Sequence, residues 1–597
     1  MSYRFRLKLS CVVFSVLLAA GCGHEPAPVP ANTAAASASA VAVPAQWQGF
    51  VDRFVEESFA ANPFLGVDAG RHEFDGKAPD WSAQGLANEV ARLKAARTEA
   101  EGFPADALTP DQRFERDSLI AGVIDRQLFW LDTAQFPYKN PVFYIDRLDP
   151  DPYLSREYAP LEKRMVGYIG YVRAIPQLAA DIRANLRTPL PKSFVARGIA
   201  GFGGYADFYR NDAPKVFEPV KDADLQKQLV EATDAAAKAM EGLKSWLESE
   251  RKNATDDFAL GEPLFAQMLK QTEGVDVPLK DLAAAGQADL ERNLKALREA
   301  CSQYLPKKPI DACIAKMSGS KPKEGSVRGA IAQLGELRSF VAEKHIVTIP
   351  SDLQAAVKES PPYNRGNSAY INIPGPYEKG VVSTFFVTPP DPSWTPKERA
   401  EYIPGVADLL FTSVHEVWPG HYLQFQHSLR HPSKVASLWV GYAFAEGWAH
   451  YAEEMMWEAG IGNGEPEYHI GQLTNALLRN VRFLCAIGLH TQGMTLEQSE
   501  KMFRESAFTD VGTARQQAAR GTYDPAYLNY TLGKLMIRKL REDWMAVDPP
   551  APGVDPASPQ KWQAFHDKFL SYGGPPIPLV RREMMGAAAG ASAGSLF

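Results

Sequence analysis

The sequence is poor in cysteine, in sustained charge of one sign and in long apolar runs. It carries five cysteines in 597 residues and no CxxC pair, so neither a thiolate zinc site nor a dithiol redox motif is written into it. Cys485 sits in an apolar run and is expected to be inert. The net charge is only −7, without a basic run, which removes nucleic acid as an expected partner. Beyond the N-terminus no apolar stretch is long enough to cross a bilayer. No segment repeats at a fixed period, which argues against solenoids and propellers.

What is present begins with an address. Arg4, Arg6 and Lys8 precede the apolar run Cys11 to Ala20, which is too short to span a membrane. Leu18-Ala19-Ala20-Gly21-Cys22 reads as a lipobox, with residues 1–22 as a lipoprotein signal and the Cys22 thiol as the lipidation site. An ordinary signal peptide is the other reading. Gly23 follows the cysteine where an inner-membrane aspartate would stand, so the periplasmic face of a Gram-negative outer membrane is expected, with the membrane met only through the lipid. Residues 23–45 are Ala, Pro, Ser and Val with almost no charge and are expected to form a flexible linker. In such an oxidising compartment Cys301 and Cys313, flanking the proline-rich stretch Tyr304 to Ile310, are expected to pair.

The rest is ordinary globular sequence, 45% hydrophobic and 11% aromatic over the chain, enough for a large core. From residue 46 to about 360 the pattern is helical. Trp47, Phe50, Val51 and Phe54 open one helix, and Thr109-Pro110-Asp111-Gln112 is a capping box before another. Long helices are predicted near 159–186, 223–250 and 279–304. Gly201 to Gly204 lacks a preceding strand and a following Lys-Ser/Thr, so it reads as a loop and not a phosphate cradle. Between 361 and 392, Tyr370 to Ile373 and Val381 to Val387 are β-rich and bounded by Pro and Gly. Thr395-Pro396-Lys397-Glu398 caps the next helix. The expected fold is mainly α, with an N-terminal helical region (46–360) and a catalytic helical region (361–597). A small β-hairpin or sheet is expected near the metal motif.

The chemistry concentrates between residues 415 and 454. His415-Glu416-Val417-Trp418-Pro419-Gly420-His421 places two histidines six residues apart, and Glu446 follows on a second helical pattern with His450 and Glu453 on the same face. Two histidines and a glutamate suit zinc, which in catalytic sites takes three such ligands and keeps a position open for water. Zinc lowers the pKa of that water to about 7, and a glutamate beside the first histidine can take its proton. On an ideal helix the second histidine would stand roughly 120° from the first. Pro419 lacks the N–H that would bond His415, and Gly420 tolerates unusual backbone, so a break there is predicted to swing His421 back beside His415. The bland alternative is a chance His-Glu dipeptide on a surface helix. Glu446 with His450, at i+4, is a rival ligand pair.

HEVWPGH, then EGWAHYAE at 446–453, then GLH at 488–490 and YLNYTLGK at 527–534 resemble the bacterial domain-of-unknown-function family numbered 885, which itself resembles gluzincin metallopeptidases of the angiotensin-converting enzyme and thimet oligopeptidase groups. The resemblance covers most of the mature chain. It implies a mostly helical fold, a Zn2+ site at His415, His421 and Glu446, and Glu416 as general base. Tyr530 and His490 become candidates for steadying the oxyanion of peptide hydrolysis, although Tyr530 could equally be core and His490 a helix cap. Arg479, with Tyr527 and His450, would line a substrate site, or Arg479 would pair with an internal acid. The β-rich stretch would be either a strand that pairs with substrate or a plain hairpin. The function expected is zinc-dependent cleavage of short, unstructured peptides in a channel walled by the N-terminal helices. The alternatives are a non-catalytic, metal-stabilised envelope lipoprotein and a hydrolase of other amides.

Overall fold

Both capping boxes start helices where the sequence places them. Thr109 and Thr395 each accept a hydrogen bond from the backbone N–H three residues on, while Gln112 and Glu398 reach back to the cap. The computed structural model describes residues 32–361, 365, 368–547, 561–586 and 596–597. Cys22 and the first part of the expected linker lie outside these residues. The second part belongs to a helix, Asn32–Ala61, because an alanine-rich run has the highest helix propensity of any composition.

The predicted long helices appear as Leu161–Asn185, Ala223–Glu250 and Leu279–Tyr304. The GFGG stretch is not a loop but part of helix Lys192–Asn211. Gly201 serves packing: a methyl there would stand 2.6 Å from the Cδ1 of Ile145. One apolar core gathers Tyr168, Tyr171, Ile175, Phe202 and Leu243. A second gathers Trp47, Phe50, Phe54 and Leu93. The largest joins Phe265, Leu290 and Leu337 to Phe411, Val414, Trp448 and Leu477, and so draws on both sides of residue 360. Each such side chain fully withdrawn from water contributes roughly 1.5–3 kcal/mol before entropy is set against it.

Three short strands form one sheet: β1 (Ala356–Glu359), β2 (Ala369–Asn372) and β3 (Thr384–Val387), in the order β1-β3-β2. β2 and β3 are the antiparallel pair read from the sequence, with Tyr370 opposite Phe386. β1 adds in parallel to the other edge of β3. The expectation that this sheet sits at the metal motif is corrected. None of its residues belongs to the His415 cluster, and its wholly buried central strand is spent on the core.

Cys301 and Cys313 form a disulfide with Cα atoms 5.7 Å apart, tying helix Leu279–Tyr304 to helix Ile310–Gly319. Cys485 is buried, and burial pushes its thiol up to about 12. Among the described residues no helix is long and apolar enough to cross a membrane.

Candidate metal centre

The break in HEVWPGH is present and does what the spacing requires. Helix Val406–Glu416 ends after the His-Glu pair, and helix His421–Ser428 begins at the second histidine. Between them the Gly420 N–H passes over the missing turn to the Val414 carbonyl, 2.9 Å away. A methyl on Gly420 would collide with the carbonyl oxygen of His415, so only glycine fits this turn. The indole N–H of Trp448 donates to the Pro419 carbonyl at 2.8 Å, which pins the break to helix Tyr442–Glu458. The two imidazoles thereby stand with centroids 4.8 Å apart and planes at 87°.

Glu446, one turn into that helix, completes the group. Its Oε2 lies 3.3 Å from Nε2 of His415 and 3.4 Å from Nε2 of His421. Around a tetrahedral ion with bonds of about 2.0–2.2 Å, neighbouring ligand atoms stand about 3.3–3.5 Å apart. Oε2 is buried without a well-formed hydrogen bond, which is costly unless a cation takes its place. His415, His421 and Glu446 can therefore hold a metal ion, and among the described residues no other group of three such side chains is so placed. The donor set, two imidazoles and one carboxylate, fits zinc with a coordination position left over. The rival pair is not formed: His450 turns to Glu453, with Nδ1 3.6 Å from Oε2.

Glu453 is the residue that the motif reading left without a role. Fully buried, it accepts a 2.7 Å hydrogen bond at Oε1 from Nδ1 of His415, the far nitrogen of a ligand ring. Arg479 lies 3.2 Å from the same oxygen. Burial alone would raise this carboxyl, but Arg479 and His415 outweigh it and hold it well below the usual range. Such a carboxylate fixes the tautomer and aim of the ring and makes it a better donor to metal. The signal available in the sequence was the shared face with Glu446, two turns back.

The remaining candidates divide. Glu416, half-buried beside His415, has no hydrogen bond or ion pair among the described residues. The Tyr530 ring lies 6.3 Å from that of His415, nearly parallel. Its hydroxyl is raised by burial and by the Glu446 charge, so it is a donor at neutral pH. Arg479 is occupied by Glu453. His490 is committed on both sides: Nε2 is 2.8 Å from the Gly521 carbonyl and Nδ1 accepts the Leu260 N–H at 3.2 Å. That leaves it no free donor for an oxyanion. Tyr527 is core, its hydroxyl against Gly521. His450 is wholly buried, and burial pulls it down to about 4.

Tyr530 and Lys534 are brought in by a helix crossing. Gly447, next to the ligand Glu446, meets Gly533 of helix Asn529–Val547, and a methyl on either glycine would strike the backbone of the other helix. Lys534 does not reach the metal cluster. It donates to Asp289 at 2.5 Å and lies 3.2 Å from Glu454, all three buried, in a network with Asn480 and the more exposed Arg292 and Arg538.

The fold and this cluster define a mainly helical protein with one candidate metal centre. The chain belongs to the family of bacterial proteins of unknown function called DUF885, whose model matches residues 63–584. No curated protein matches it. Among solved structures it is similar to a candidate lipoprotein of unknown function from Shewanella oneidensis, at 24% identity and a TM-score of 0.74 over 90% of this chain and 99% of that one. It is also similar to a candidate lipoprotein from Colwellia psychrerythraea, at 17% identity and a TM-score of 0.74 over 91% and 98%. These likenesses extend to the fold, and nothing in them ties the chain to gluzincin peptidases.

Proposed function

We propose that the protein is a zinc-dependent hydrolase that cleaves peptide bonds in short, unstructured peptides. The observation that carries this reading is the largely buried trio His415, His421 and Glu446 with Glu416 beside it, unpaired among the described residues. A structural zinc site is closed by four protein ligands and has no use for an adjacent free base. Zinc held by the trio would supply Lewis acidity, polarising a carbonyl and making water acidic enough to react at neutral pH. The chain's own groups do the rest. The Glu416 carboxylate takes the proton of the attacking water and returns it to the leaving amine. The Tyr530 hydroxyl donates to the oxygen on which charge develops. Glu453 and Arg479 keep His415 in one tautomer.

The restriction to short peptides rests on placement. The ligands are largely buried, and the long helices before residue 360 are read as walls of a channel that a folded domain cannot enter. The lipobox reading places Cys22 under lipid on the periplasmic side of the outer membrane, in keeping with the candidate lipoproteins of the same fold.

A second reading is a metal-stabilised lipoprotein without catalysis, in keeping with the lipoprotein neighbours of the same fold. Glu416→Gln separates the two. On the hydrolase reading the variant binds one zinc as the parent does but loses about 10²–10⁴-fold in turnover of a mixed peptide pool. Cleavage at the parental rate by the zinc-loaded variant would remove Glu416 as base. No cleavage by the parent would leave the second reading.

A further inference from the structure

Three arginines stand around Tyr530, and two have carboxylate partners: Arg479 pairs with Glu453 and Arg520 with Asp524 at 2.9 Å. Arg482 has none. It is only 8% exposed, its Nε donates to Gln517 at 2.8 Å, and among the described residues no carboxylate lies within ion-pair distance. Burial first, then the like charge of Arg520, draw the guanidinium down to about 10. A buried cation without a counter-ion is an unfavourable arrangement that folding alone does not explain.

Its position supplies an explanation. The guanidinium lies 5.1 Å from the centre of the Tyr530 ring, and that ring lies 6.3 Å from His415. Arg482 and the ligand His415 thus both stand by the Tyr530 ring, and Arg482 is on the helix that carries Arg479 one turn earlier. With Nε taken by Gln517, the two Nη groups remain. Their planar edge matches the two oxygens of a carboxylate.

We propose that Arg482 is the anchor for a substrate carboxylate, so that the favoured substrates carry a free carboxyl close to the bond that is cut. The proposal deepens the hydrolase reading and rests on it for the word substrate; the anion site itself does not. A carboxylate bound there supplies the missing counter-charge and fixes the distance between the chain end and the metal cluster. The outcome is trimming from the carboxyl end and not cutting in the middle of a chain.

The test uses zinc-loaded, full-length Glu416→Gln protein, which binds without turnover. The probes are N-acetylated random tripeptides, made once as free acids and once as C-terminal amides. Calorimetry is expected to show the acids bound roughly tenfold or more tighter than the amides, as a charge-assisted hydrogen bond predicts. Adding Arg482→Gln should abolish that preference and leave amide binding unchanged, and Arg482→Lys should restore part of it. Equal binding of acids and amides, or binding of neither, overturns the proposal without any change at Arg482. A preference that survives Arg482→Gln overturns it as well. Failure of the hydrolase reading is seen separately: the acid preference persists, while protein with Glu416 intact cuts neither pool.

Discussion

Helix Tyr442–Glu458 carries two buried polar clusters, and the adjacent residues Glu453 and Glu454 face one each. On the Glu454 side every charge is matched. Lys534, Arg292 and Arg538 surround Glu454 and Asp289, and Asn480 bridges Asp289 to Asn293. No side-chain polar atom of that set is buried without a partner among the described residues. On the Glu453 side, Glu446 Oε2, His421 Nδ1, Glu453 Oε2, both nitrogens of His450 and Nε of Arg479 are buried without a hydrogen bond among the described residues. Two clusters on one helix, the first with Arg292 and Arg538 reaching it from the surface, therefore differ in completeness. The closed one holds helices together. The open one keeps bonding capacity in reserve, which is what a binding centre requires.

Breaking the closed cluster should have the largest effect. Lys534→Met leaves Asp289 and Glu454 short of a buried partner and is expected to destabilise the protein by about 3–5 kcal/mol in urea unfolding. The loss should be the same with and without zinc, because Lys534 makes no contact with the ligands. A loss under about 1 kcal/mol, or one that zinc reverses, would show that the clusters are not separate.

Glu453→Gln should act on the open cluster alone. Its effect falls on metal affinity, with the zinc dissociation constant rising roughly 10–100-fold in competition with a chromophoric chelator. Unaltered affinity would mean that the His415–Glu453 hydrogen bond does not tune the site.

The smallest effect is acid sensitivity. Burial would raise the Glu454 carboxyl, but Lys534, Arg292 and Arg538 outweigh it and hold it down to about 2, against an ordinary value of about 4.5. Because the folded value is the lower one, the unfolded chain binds the extra proton. The stabilisation is complete above pH ~4.5 and is lost as pH falls towards 2. Stability followed by urea unfolding across that window should decline less steeply in Glu454→Gln. An unchanged slope would assign the acid sensitivity to other groups.

Much of this was legible in the residues because it depends on local chemistry. Pro419 and Gly420 announce the break between the histidines, Thr109 and Thr395 announce their helices, and a short oxidisable loop announces the Cys301–Cys313 bond. What stayed hidden depends on partners distant in the chain. Glu453 on a helix face looks like any glutamate until Nδ1 of His415, 38 residues earlier, is found against it. His490 looked like a donor because a motif names a residue and not where its two nitrogens go. Gly201 to Gly204 looked like a loop because small residues mark both turns and close helix contacts. β1 was not singled out because four residues with two exposed give no alternation to detect.

The crossing of Gly447 and Gly533 has one more consequence. The residue before the first glycine is the metal ligand Glu446, and three residues before the second is Tyr530. Where backbone rests on backbone there is no side chain to yield, so the crossing works as a gauge block that sets the ligand-to-tyrosine spacing. Alanine at either position would shim the helices apart and move Tyr530 from Glu446 without touching either residue. The working dimension of the centre is fixed by two methyl groups that are not there.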